Sequence, residues 1–198
     1  MENFNDRIKD LSEIRSMMEK SSKFLSLSGL SGISAGVVAL IGSYFVLLKF
    51  QEVKEFGHTE NLPIFYFSLA AIVLIAALTL AIFFTTRNAK KKNLPMWTAA
   101  TKYLLTSLFI PLGAGGLFSI VLWDKGIPEL IFSSTLLFYG LALLNASKYL
   151  MNEIRYLAII EIILGLLAGI TFGLIIWAIG FGVVHIVYGV YMYLKYEK

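Results

Sequence analysis

One carboxylate, Glu161, interrupts the run from Tyr156 to Leu194, 39 residues that contain no other Asp, Glu, Lys or Arg. A charge in hydrocarbon is costly, so such a group is kept to pair with another, to move a proton or to hold a ligand. Helical rise puts Glu161 about 9 Å beyond Arg155. Folding the chain back near residue 153 brings Asn145 to the same level, with Lys148 nearer the surface. These three are the expected polar cluster, read either as a pairing that joins two helices or as a proton or ligand path. His185 is the one histidine expected inside the apolar region, in its outer half and close to a turn, where a hydrogen bond between helices is its expected role. Pro111 stands before Gly113, Ala114, Gly115 and Gly116. Proline removes the hydrogen bond to the carbonyl four residues back, at Ser107, and predicts a kink that serves either packing or substrate contact.

Other chemistries are disfavoured. The chain has no cysteine, which excludes disulfides, thiolate metal sites and cysteine nucleophiles. Two histidines make a multi-histidine metal or haem centre an unpromising reading, and no phosphate-loop pattern is present, so neither a cofactor nor a metal is expected. Gly29-Leu30-Ser31-Gly32 resembles the Gly-x-Ser-Gly element of rhomboid proteases. Ser31 enters near one end of its span and His185 counts nearer the other, so a nucleophile and base pair is not expected, and no catalytic residue is assigned.

The elements that must position these groups follow from hydrophobicity. Of 198 residues, 58% are hydrophobic and 15% charged, far from the composition of a water-soluble domain. Uncharged stretches of hydrocarbon length predict spans at about 24–48, 63–86, 103–123 and 129–147. The run beginning at Tyr156 would be about 58 Å long as one helix, roughly twice the hydrocarbon thickness. It must turn, and Gly180 with Gly182 supply flexible backbone for that turn, giving spans at 156–178 and 181–195. Continuous rather than alternating apolar runs favour helices over a barrel. The expected fold is therefore all-α, a polytopic membrane bundle of six transmembrane helices.

Lys and Arg set the direction. Fourteen of the 17 fall in the N-terminal segment, the loops after spans two and four and the tail, and three (Lys49, Lys54, Lys125) fall on the other side. The positive-inside rule then places both termini in the cytoplasm, in a multi-pass protein of the cytoplasmic, or inner, membrane. Within that basic set Arg87, Lys90, Lys91 and Lys92 are candidates for lipid headgroups, although fixing orientation alone would account for them. Residues 1–23 form a cytoplasmic lead-in ahead of a bundle domain at 24–198. Ile8, Leu11, Ile14, Met18 and Leu25 recur there at helical spacing, which predicts a short amphipathic helix that lies on the membrane or docks a protein partner through residues 5–25.

Small residues mark faces meant for protein. Glu161, Gly165, Gly169 and Gly173 repeat every four residues, and Ser28, Gly32 and Gly36 make a matching stripe on the first span. The segment EIRSMMEKSSKFLSLSGLSGI, Glu13 to Ile33, resembles the opening of bacterial multi-span inner-membrane proteins to which no activity is attached, and the resemblance implies the membrane class alone. The functional expectation is a non-enzymatic accessory, regulatory or scaffold component acting through helix association, as a homo-oligomer or with a membrane or cytoplasmic partner. A small secondary transporter or channel using Glu161 and the interrupted third span is the alternative, and an intramembrane hydrolase a remote one. Nucleic acid is not an expected partner.

Overall fold

A computed structural model of the chain describes residues 27–57, 61–171 and 173–198, and the expected lead-in, the docking stretch 5–25 and His58 lie outside them. The described residues form helices and turns without a strand. In chain order these are α1 (Gly29–Phe56), α2 (Leu62–Lys91), α3 (Ala99–Asp124), α4 (Leu130–Ala146, extended by a 3-10 turn at Ser147–Tyr149), α5 (Glu153–Ala168) and α6 (Gly173–Tyr196). Five helices, α1, α2, α3, α4 with its 3-10 extension, and α6, are long and apolar enough to cross a membrane. The 16-residue α5 is about 24 Å long, short of the roughly 30 Å hydrocarbon layer. The chain is a membrane helix bundle.

Local chemistry sets the helix ends. Gly57 stops α1 in the left-handed conformation at φ 67°, its amide donating to the Val53 carbonyl at 2.9 Å. Pro63 sits in the first turn of α2, where its missing N–H costs nothing. Thr98 and Thr101 form a reciprocal capping box at the start of α3. Gly126, at φ 74°, turns the chain from α3 toward α4.

The turn between the last two helices differs from the expectation. It lies after Ala168, where residues 169–171 leave the helix, and not at Gly180 and Gly182. Both of those glycines are buried inside α6, where each admits a close neighbour: Leu40 at Gly182, and Leu136 with Glu161 at Gly180. An apolar run rich in glycine carries two signals, flexible backbone and close packing, and here packing prevails. The last span accordingly begins at Gly173 and α5 ends ten residues before the expected 178.

α1 packs between α2 and α6, α4 packs against both α3 and α5, and α6 joins the two groups by touching α5 and α4. Glycines set the closest contacts. A methyl group on Gly36 would lie 2.6 Å from the Gly182 carbonyl oxygen, and one on Gly189 would lie 2.5 Å from the Ile33 nitrogen. Gly165 meets the Leu137 backbone, and its carbonyl accepts from the Ser133 hydroxyl at 2.7 Å. The start of α1 and the end of α6 meet directly: the Ser28 hydroxyl donates to Glu197 at 3.1 Å, and the Gly29 amide donates to the same carboxylate. A carboxylate at a helix start satisfies an orphan amide and opposes the helix dipole. Beside it, Lys195 and Tyr196 of α6 each donate to Glu153 of α5 at 2.6 Å.

Candidate functional site

Glu161 sits in the middle of α5 with no exposed surface. Its Oε1 lies 3.3 Å from Nδ1 of His185 on α6. The other side of that imidazole meets α4, where the Tyr139 hydroxyl is 2.8 Å from Nε2. Three helices thus meet through three polar side chains in an apolar interior. The 2.9 Å contact between Nδ1 and the Gly180 carbonyl fixes the tautomer, because a carbonyl only accepts. Nδ1 therefore carries a proton, and in the neutral ring Nε2 accepts from Tyr139. A lone charge in this interior would be expensive, whereas the carboxyl and imidazole together have a net neutral state.

Room for the carboxylate comes from α6. Residues Ala178–Val184 form a π-helical segment, with Gly180 within it. A side chain on Gly180 would come within 2.7 Å of Glu161 Oε2. The widened turn also rotates whatever follows it by about 100°, one residue's worth of helix. His185, the first residue beyond the segment, owes its direction to that rotation. Neither Glu161 oxygen receives a hydrogen bond of good geometry among the described residues, and the Tyr188 hydroxyl is likewise buried without one. Among the described residues this buried carboxylate, with both oxygens lacking such a bond, is the least satisfied polar group.

Aromatic rings enclose the cluster. Phe181 lies 4.9 Å from Tyr139 and 4.9 Å from Trp177 between ring centres, and stacks on His185 at 5.9 Å. Trp177 is anchored in turn by its indole N–H, which donates to Thr135 of α4 at 3.0 Å.

Of the expected cluster, Glu161 is at this site and its companions are elsewhere. Lys148 is exposed. The Asn145 amide reaches α3 and donates to the Ser107 carbonyl at 3.2 Å. That carbonyl is the one Pro111 deprives of its helical donor, so Asn145 repairs the defect from the neighbouring helix. His185 takes the place Asn145 and Lys148 were expected to fill. A turn at Gly180 would put it near the helix start, but counted from Gly173 it is the thirteenth residue of 24 and lies at mid-helix. Tyr139 is not marked by the sequence, where its one signal is a hydroxyl-bearing ring inside the apolar run of α4.

Ser31 and His185 are nearer in height than counting suggested, since a methyl group on Gly32 would lie 3.3 Å from the His185 carbonyl oxygen. Even so, the Ser31 hydroxyl donates to the Ser28 carbonyl, and both His185 nitrogens are engaged elsewhere. The glycine stripes face inward within this chain: Gly32 and Gly36 toward α6, Gly165, Gly169 and Gly173 toward α4. At the Ser28 end, Arg87, Lys91 and Lys92 line a pocket that Lys90 does not. No cluster of three or more metal-binding side chains occurs among the described residues.

Fold and site together define the class, a polytopic helical membrane protein with a buried Glu–His–Tyr junction. No protein-family profile matches the chain, and no curated protein sequence or solved structure matches it significantly.

Proposed function

We propose that the chain is a six-span, non-enzymatic protein of the cytoplasmic membrane, with both termini in the cytoplasm, that acts as an accessory, regulatory or scaffold component through helix association. The distribution of basic residues supports the orientation. The carrying observation for association is the state of α2. No residue of its most apolar stretch is buried, and its main seam is with α1, supplemented near its start by Tyr66 and Phe67 against Trp123 of α3. A membrane helix with so little packing from the described residues of its own chain presents a long face to a partner helix. The polar groups that could perform chemistry are meanwhile enclosed, Glu161 completely so, between Leu136, Leu164 and Gly180. Absence of native cysteine makes the test direct. Single cysteines at Ile72 and Ile75, both outward-facing on α2, should cross-link to one reproducible species in native membranes. Random or absent products at both positions would reject α2 as an association surface.

The orphaned carboxylate favours a second reading, proton-linked transport through Glu161, His185 and Tyr139. Glu161→Gln should then abolish pH-driven flux in reconstituted vesicles. Flux unchanged by that substitution would remove Glu161 as the coupling group.

A further inference from the structure

We infer that the pocket where α1, α2 and α6 converge at the Ser28 end binds the phosphodiester headgroup of an anionic membrane phospholipid. The pocket has a volume of about 410 Å³. Three cations line it, Arg87, Lys91 and Lys92, and among the described residues none of them is paired with a carboxylate. Phe84, Arg87 and Lys91 fall on one face of α2 by their spacing of three and four. The single acid in the lining, Glu197, is already held by the Ser28 hydroxyl and the Gly29 amide. Its charge is thereby turned to the start of α1, and the pocket keeps a cationic excess. From α6 come Tyr193, with a hydroxyl able to bond a phosphate oxygen, and Tyr196, whose hydroxyl is committed to Glu153, and both rings suit the membrane interface.

The depth of the pocket favours a lipid over a free anion. α2 carries no charge from its first residue until Arg87, so the guanidinium stands where its apolar length ends. Phe84 and Leu30 form the apolar part of the lining. A ligand matching this wall has a phosphate at one end and hydrocarbon at the other. Arginine suits the phosphate because its planar fork donates two parallel hydrogen bonds, while the lysines add charge. Lys90, adjacent in sequence and exposed, does not line the pocket and so supplies an internal control.

Titration of the purified full-length chain in neutral detergent with phosphatidylglycerol, read by native mass spectrometry and thermal unfolding, tests the assignment. Phosphatidylglycerol should remain bound and raise the unfolding midpoint, and phosphatidylcholine should do neither. Replacing Arg87, Lys91 and Lys92 together by Gln should weaken binding on the order of a hundredfold, whereas Lys90→Gln should leave it unchanged. If the triple variant does not fold, Arg87→Gln alone should weaken binding about fivefold against the same control. Equal losses in Arg87→Gln and Lys90→Gln would overturn the pocket in favour of diffuse surface charge. Glycerol phosphate or inorganic phosphate competing as well as the lipid would overturn the lipid as its occupant. None of these outcomes depends on whether α2 cross-links to a partner.

Discussion

Pro111 and Asn145 show how a defect and its repair are written at separate places in a membrane sequence. The loss at Ser107 was readable from proline chemistry, but the donor that answers it sits on another helix, and only the packing of α3 on α4 brings them together. Asn145→Ala should destabilise the bundle by about 1–3 kcal/mol, the usual penalty for leaving a carbonyl without a donor away from water, since this bond lies on the lipid-facing surface of the proposed bundle. In a Pro111→Ala background the helix can bond Ser107 itself, so the same change should cost much less. A double-mutant cycle of unfolding in detergent measures the difference, and simple additivity would show that the two residues act independently. The Glu161 site was half legible for the same reason. A lone acid in an apolar run announces itself, and a lone histidine does so nearly as well. Their meeting depends on a turn and on a π-helical segment that periodicity does not reveal, and Tyr139 is one of ten tyrosines in the chain. Tyr139→Phe leaves the imidazole acceptor unmet and should lower stability by about 1–3 kcal/mol, with the helical circular dichroism retained.

Glycines govern the elements. The sequence announced small-residue faces on the first and fifth spans, and those faces exist, but it contains nothing to distinguish a contact inside the chain from a contact between chains. α1 spends its stripe on α6, backbone against backbone. Gly36→Ala should therefore destabilise by about 1–3 kcal/mol, because the new carbon meets backbone, the Gly182 carbonyl oxygen and the Ile186 nitrogen, as well as the Ile186 side chain. Gly113→Ala should be neutral or mildly stabilising, since nothing lies within 4 Å of the added carbon and alanine is the better helix former. Unfolding midpoints of the two variants in one detergent compare them directly. Gly180→Ala differs from both, because its new carbon meets side-chain ends, those of the fully buried Leu136 and Glu161, and the strain should fall on them. The misplaced turn has the same origin: glycine-rich stretches recur at 165–173 and at 180–182, and composition favours neither as the place to reverse direction.

At the scale of the molecule, hydrocarbon length and glycine-lined seams make the bundle, and its Ser28 end is fastened by polar contacts. Partial burial would push the Glu153 carboxyl up, but hydrogen bonds from Lys195 and Tyr196 outweigh that effect and hold it below its ordinary range. A carboxyl shifted this way stabilises the fold above the usual carboxylate range, and the contribution is lost as pH falls through the lower folded-state value. The clasp is largely solvated, so its worth is small and screened by salt. Unfolding midpoints should decline on acidification through that window, and Glu153→Gln should flatten the decline. A midpoint equally pH-sensitive in the variant would place the responsible group elsewhere. The seam between α1 and α6 has a temporal consequence too. α1 finds its main partner in α6, which begins about 115 residues after α1 ends, an interval on the order of ten seconds at ordinary rates of synthesis. Throughout that wait the bare backbone of Gly29, Gly32 and Gly36 faces lipid or whatever insertion factor shields it, so nascent chains arrested before Gly173 should be the ones that quality-control proteases in the membrane seize.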